Sequence, residues 1–337
     1  MIKNYKYPGT IRLERGGAIK NLEIAYSTFG KLNKDRNNVV WVCHALTANS
    51  DVADWWPNTV VEGGFLDPAK WMVVCANILG SNYGTTGPLC IDSETGKPYY
   101  SNFPKVTIRD IVNVHRLLAD HLEIESLHAV VGSSLGGFQA MEWAIMEPER
   151  IKNLVLIATD SEVTPWAAAL NETQRMTIKA DKTFGDDDAE AGKEGLAAAR
   201  AIALLSYRGP SGYNLSQKNN DTIAPYCHRV STYQNYQGEK LCRRFNAYSY
   251  MTILDTFDSH DIARGRQGDK NKVLKGIKAR TACISIPTDI LFPPESVKKL
   301  AENIPDSRYF EIDSEFGHDG FLVEHQQLND ILNDFLK

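Results

Sequence analysis

A chain of 337 residues can hold one large α/β domain with room for an inserted subdomain, and 43% hydrophobic content is that of a folded protein. A net charge of −5 leaves no surplus of Lys and Arg to cover phosphates, which excludes a nucleic-acid surface. The opening "MIKNYKYPGTIRLERGG" lacks an apolar core of signal-peptide length, and no apolar run reaches about 20 residues, so a cytoplasmic protein without a membrane span is expected.

The first forty residues, with "TIRLERGGAIKNLEIAYSTFG", read as an antiparallel lead-in. Near-continuous apolar runs follow: "NVVWVCHA", "WMVVCANIL", "LHAVVGS", "IKNLVLIA", "TACISIP" and "RYFEID". Strands covered on both faces read this way, whereas half-exposed strands alternate. Helical segments separate several of them. In "TIRDIVNVHRLLADHLEI", Thr107 to Ile124, residues Ile108, Ile111, Val112, Leu117, Leu118 and Leu122 make one apolar face. The pattern is α/β, a mainly parallel sheet flanked by helices.

From about Ser161 to Lys275 the rhythm breaks into helical stretches, among them "AEAGKEGLAAARAIALLSY" and "EKLCRRFNAYSYMTILDTF". The expected organisation is a core domain of residues 1–160 and 276–337 with a helical lid inserted over 161–275. Such an insertion sits above the carboxyl ends of the strands, where an open α/β sheet keeps its ligands. The six cysteines form no C-x-x-C pair; Cys43, Cys75 and Cys283 fall in strands, and the set reads as buried reduced thiols with no metal site. The sequons at Asn171, Asn214 and Asn220 are then chance matches.

The chemistry is concentrated in "HAVVGSSLGGFQAMEW", His128 to Trp143. A short strand runs into Gly132, and a helix follows that Pro148 stops. G-x-S-x-G fits only as Gly132-Ser133-Ser134-Leu135-Gly136, so Ser134 is the candidate nucleophile and Ser133 the free position. A serine on so tight a turn holds a strained backbone beneath a helix N-terminus whose dipole favours developing negative charge. A serine needs a histidine to take its proton and a carboxylate to fix that histidine's tautomer. His318 in "SEFGHDGFL" follows the last strand, and Asp289 in "CISIPTDILFPP" follows the one before it. The order Ser134, Asp289, His318 is the one this strand-turn-helix arrangement requires. His260 and His325 lack that setting, and His44 reads as structural or substrate-facing. Backbone N–H groups of Leu135 and of the "HALTANS" loop form the expected oxyanion hole, Leu46 first and Thr47 next.

Over nearly its whole length the chain resembles the homoserine O-acetyltransferase family of α/β-hydrolase-fold enzymes. The resemblance is carried, in order, by "HALTANSDVADWW", "NILGSNYGTTGP", "TGKPY" with "FPKVTIRDIV", "VGSSLGGFQAMEWA", "YRG", "YQGEK" with "RFNAYSY", "FDSHDIARGR", "TDILFPPE" and "GHDGFL". It implies ping-pong transfer of an acetyl group from acetyl-CoA, a co-substrate, to the γ-hydroxyl of L-homoserine, with no bound cofactor and a product that enters methionine synthesis. It also implies that Arg208 of "SYRG" and Asp319 of "GHDG" hold the amino acid's charged ends, and that two copies pair through the lid. On the residues alone, a lid salt bridge is the other reading of Arg208 and a helix N-cap that of Asp319. The family elbow usually carries Gly and Met where this chain has Ser133 and Leu135, and its "YRS" is "YRG" here. A succinyl donor, or a serine esterase of the same fold, is the alternative.

Overall fold

The computed structural model describes residues 2–219 and 228–337; the Asn220 sequon and Cys227 lie outside them. Ten strands are present among the described residues: β1 (Lys3–Lys6), β2 (Thr10–Arg12), β3 (Ala18–Lys20), β4 (Glu23–Phe29), β5 (Val39–Cys43), β6 (Met72–Ala76), β7 (Leu127–Ser133), β8 (Ile151–Ile157), β9 (Arg280–Ser285) and β10 (Ser307–Glu311). The helices are α1 (Val52–Trp55), α2 (Ile108–His121), α3 (Leu135–Met146), α4 (Pro165–Ala180), α5 (Lys193–Ser216), α6 (Arg229–Cys242), α7 (Ala247–Asp258), α8 (Lys270–Leu274), α9 (Pro294–Asn303), α10 (Gly320–Val323) and α11 (His325–Phe335).

Eight strands form one sheet in the order β1-β4-β6-β5-β7-β8-β9-β10, and β2 and β3 make a separate hairpin. The expected antiparallel lead-in is present: β1 pairs antiparallel with β4, and β4 with β6. From β6 to β10 every pairing is parallel. All five residues of β5 are buried, because the sheet is covered on both faces. One face packs Trp41, Val130, Leu154 and Cys283 against α2, α3 and α9; the other packs Val42, Val131, Val155 and Ile284 against Trp56 of the α1 segment and against α11. Double coverage explains why these strands read as runs rather than alternations.

Thr107 starts α2 with a capping box: its hydroxyl receives the Asp110 N–H, and the Asp110 carboxylate receives the Thr107 N–H. Two orphan donors are satisfied at once, worth about 1 kcal/mol. The helix buries Asp110 and His115 along with its aliphatic face, and Leu117 and Leu122 are only partly buried. Between β8 and β9 the described residues form α4 to α8 and add no strand to the sheet. α5 runs well past the stretch read from sequence, with a break at Gly209 (φ 62°) before Pro210. The stretch "EKLCRRFNAYSYMTILDTF" is two helices, because the Asn246 side chain caps α7 by accepting the Ser249 N–H.

No helix of the described residues is long and apolar enough to cross a membrane. Cys43, Cys75 and Cys283 are buried in their strands, but Cys90 and Cys242 are half-buried, a correction to the uniform burial expected of the thiols. They sit outside the sheet, on a loop and at the end of α6, where no double coverage operates. Asn171 is buried and its amide donates to Asp258.

Candidate active site

Consecutive strands β5 and β6 neighbour each other, and the chain then returns to the opposite side of β5 to form β7. This reversal opens a crevice at the carboxyl ends, where α/β sheets bind ligands. Loops after β5, β7, β9 and β10 deliver the chemical groups to it.

Ser134 links β7 to α3 with φ 55° and ψ −126°, a conformation that L residues rarely adopt. Three contacts hold it there. Its N–H donates to the Ile157 carbonyl at 2.9 Å, and its own carbonyl receives the Gly137 N–H at 2.9 Å and the Thr159 hydroxyl at 3.0 Å. The glycines of the elbow are needed for close approach: a Cβ at Gly132 would lie 2.1 Å from the Gly136 carbonyl oxygen, and one at Gly136 would lie 2.0 Å from that of Cys43. Ser134 lines the cavity above the sheet; Ser133 does not, and its hydroxyl is buried without a hydrogen-bond partner among the described residues.

His318 and Asp289 meet as expected. The His318 Nδ1 lies 2.7 Å from Asp289 Oδ2, and both side chains are almost fully buried. Asp289 is also a turn former: its Oδ1 accepts the Leu291 N–H at 2.7 Å and the Phe292 N–H at 3.0 Å. One oxygen thus fixes the loop while the other fixes the imidazole, leaving Nε2 to face the cavity side of the ring. Phe292, Phe321 and Tyr207 surround the His318 ring at 5.5, 5.4 and 5.8 Å between centroids, a low-dielectric setting. Gly317, at φ 58°, lets this turn press against α5, since a Cβ there would lie 3.0 Å from the Arg208 backbone.

Leu46 lines the same cavity, as does Thr47. Among the described residues, neither the Leu46 nor the Leu135 backbone N–H has a hydrogen-bond partner within the protein. For Leu135 this follows from its place as the first residue of α3, where N–H groups are orphaned. His44 proves structural: its Nδ1–H donates to the Ala45 carbonyl, its Nε2 accepts the Ile78 N–H, and burial pulls its pKa down to about 4. His260 is likewise buried, stacked on Phe138 and brought to about 3 by burial, and His325 is half-buried at the start of α11.

Arg208 and Asp319 find each other across 111 residues of chain, Nε to Oδ2 at 3.2 Å. The carboxylate of Asp319 makes no capping bond to α10. Burial raises its pKa, opposed by the charges of Arg200, Arg208 and His318. Asp319 lines the cavity together with Tyr207 of the "YRG" motif and with Arg200, which no motif singled out; Arg208 is not among the described residues lining it. The cavity measures about 470 Å³. A larger hollow, about 1040 Å³, lies at the opposite end of the sheet around Asn38, Leu127 and Ile151, away from every candidate group.

Residues 38–325 match the family model described as alpha/beta hydrolase fold. The homoserine O-acetyltransferase of Cyclobacterium marinum is 42% identical over 96% of this chain and 92% of its own length. This chain belongs to the homoserine O-acetyltransferase family. Within that family, the structure of the Bacillus anthracis homoserine O-acetyltransferase superposes with a TM-score of 0.93 at 22% identity, over all of this chain and 97% of that one. An acetylester hydrolase from Corynebacterium glutamicum shares the fold at a TM-score of 0.87 and 23% identity, over 100% and 96% of the two chains. Homoserine O-acetyltransferases and esterases therefore share one scaffold.

Proposed function

We propose that the protein moves an acetyl group from acetyl-CoA to the γ-hydroxyl of L-homoserine through an acetyl-Ser134 intermediate, forming O-acetyl-homoserine for methionine synthesis. In the first half-reaction Ser134 Oγ attacks the thioester carbonyl carbon as its proton passes to His318 Nε2. The oxyanion forms against the Leu46 and Leu135 N–H groups, the C–S bond breaks, and the thiolate of CoA leaves with the proton from His318. In the second, His318 takes the proton of the homoserine hydroxyl, whose oxygen attacks the acetyl carbon. The C–Oγ bond breaks and Ser134 recovers the proton. Asp289 holds the imidazole in the required tautomer throughout.

The observation that carries this reading is Asp319, which pairs with Arg208 at 3.2 Å and lines the cavity with Ser134 and His318. A cavity wall that sets this carboxylate and the Arg200 guanidinium around the nucleophile suits a zwitterionic amino acid, since a guanidinium grips a carboxylate and a carboxylate pairs an ammonium. An ester hydrolase acting on uncharged acyl groups has no use for it. The same reading places the protein in the cytoplasm as a homodimer through the lid, where Leu205, Leu215 and Tyr236 expose apolar side chains.

The test is thiol release from acetyl-CoA and from succinyl-CoA, each with and without L-homoserine. Release that depends on homoserine and runs faster with acetyl-CoA is expected. Faster release with succinyl-CoA keeps the mechanism and changes the donor, and release indifferent to homoserine makes the protein a hydrolase.

A further inference from the structure

Gln139 is fully buried in α3, about one helical turn after Leu135. Side chains on a helix lean toward its N-terminus, so this amide points back at the elbow. Its Nε2 donates to two carbonyls at 3.2 Å each. One belongs to Leu135, whose N–H is a donor of the expected oxyanion hole; the other belongs to His44, two residues before Leu46. Carbonyls only accept, so the amide stands one way round, with Oε1 turned to its other side. There it meets His115 Nε2 of α2 at 3.0 Å. An amide oxygen accepts too, so this ring nitrogen carries the proton and the tautomer is set. Among the described residues the buried Nδ1 of His115 has no partner that would turn the ring round, and Trp41 and Trp143 flank it at 5.7 and 5.9 Å between centroids.

The two halves of the oxyanion hole hang on different parts of the fold. The Ser134 carbonyl, in the same peptide as the Leu135 N–H, is held by Gly137 and by Thr159 just past β8. His44 lies one residue beyond β5, whose last ladder pair is Cys43 with Gly132. Among the described residues, Gln139 is the one side chain of α3 that hydrogen-bonds to His44 or to the loop after it. Two donors serve one oxyanion only when their separation is right.

We propose that Gln139 is a positioning residue for acyl transfer: by bridging the Leu135 and His44 carbonyls it sets the spacing of the two oxyanion-hole donors, and His115 holds its amide in the working orientation. This rests on the reading above of Ser134 as the acylated nucleophile.

The experiment compares wild type, Gln139→Met, His115→Leu and His115→Gln, each normalised to active sites by end-point titration with a fluorophosphonate that labels Ser134. Acetylation by p-nitrophenyl acetate, followed as the burst of p-nitrophenol, gives a rate constant and a binding constant for the ester. The second readout is inhibition by trifluoroacetone. Its carbonyl carbon bonds to Ser134 Oγ as the Oγ proton passes to His318, and its oxygen becomes an oxyanion in the hole. Gln139→Met should slow acetylation about 10- to 100-fold and weaken trifluoroacetone by a similar factor, with ester binding changed less than about twofold. His115→Leu should move both readouts the same way by less, and His115→Gln, which still offers an N–H to Oε1, should restore them.

A glutamine that only fills the core would lower the melting temperature and leave both readouts per active site at wild-type values; that result overturns the proposal. If Gln139→Met does not fold, wild-type values of both readouts in His115→Leu overturn it equally. A loss in His115→Gln as large as in His115→Leu overturns the part given to His115. A wild type that shows neither burst nor inhibition overturns the nucleophile reading beneath, before any variant is made.

Discussion

Acidification should unfold this protein from the inside, through three neutral histidines. His44, His115 and His260 are buried, and burial lowers their pKa values to about 4, 4 and 3. Each is held as a neutral ring: His44 between the Ala45 carbonyl and the Ile78 N–H, His115 against Gln139, and His260 against the Asp160 carbonyl. In the unfolded chain all three titrate near the ordinary value of about 6.5. The unfolded state therefore binds more protons between about pH 6.5 and pH 4, and stability must fall as pH falls through that window. Linkage sets the loss from pH 7 to pH 5 at about 2 kcal/mol for each ring, about 6 kcal/mol together. That is comparable to the whole stability of a typical domain, about 5–15 kcal/mol. Asp110, Asp160 and Asp258, whose carboxyls burial raises, act in the opposite sense, but only as the pH enters the carboxylate range. The functional consequence is local as well as global. Gln139 ties the His115 ring to the His44 backbone carbonyl, so this pair braces the chain two residues before Leu46. The assay is urea unfolding followed by tryptophan fluorescence at half-unit steps from pH 7 to pH 5, with activity measured in parallel. A midpoint that does not move across that range refutes the reasoning.

Two substitutions probe the site. Asp289→Asn should lower kcat by up to about 10⁴ because the imidazole loses its tautomer partner, on the precedent of serine proteases; steady-state kinetics showing less than a tenfold loss would assign the acid elsewhere. Gly136→Ala puts a Cβ 2.0 Å from the Cys43 carbonyl oxygen and forces α3 away from β5. It should cost about 1–3 kcal/mol of stability, and moving the Leu135 N–H should cut kcat about 100-fold. A melting temperature and kcat like the wild type's would contradict the elbow geometry.

The parallel strands were legible because double coverage makes them continuous apolar runs, and the elbow because close backbone contacts demand glycine at Gly132 and Gly136. Asp289 and His318 were legible from their positions after successive strands. Arg200 was not. It lies in an ordinary helical stretch, "GLAAARAIALLSY", and its significance arises only where α5 folds over a loop more than a hundred residues later. The Arg208–Asp319 pair was legible as two motifs but not as a contact, since charge type alone does not say which partner a side chain meets. His44 left two readings open because a buried neutral histidine and a substrate-facing one look alike in sequence; the Ala45 and Ile78 hydrogen bonds decide it. The short helices α1, α8 and α10 carry no periodic signal, being too brief to show one.

The central claim is that acetyl transfer passes through Ser134. Mixing the protein with acetyl-CoA alone and recording intact mass and released thiol tests it most directly. The account predicts a rapid burst of about one thiol per chain, as for a ping-pong acyl-enzyme, with one acetyl group on Ser134 that homoserine discharges and no label in Ser134→Ala. Thiol release only when both substrates are present, with no acetylated protein at any time, would contradict it.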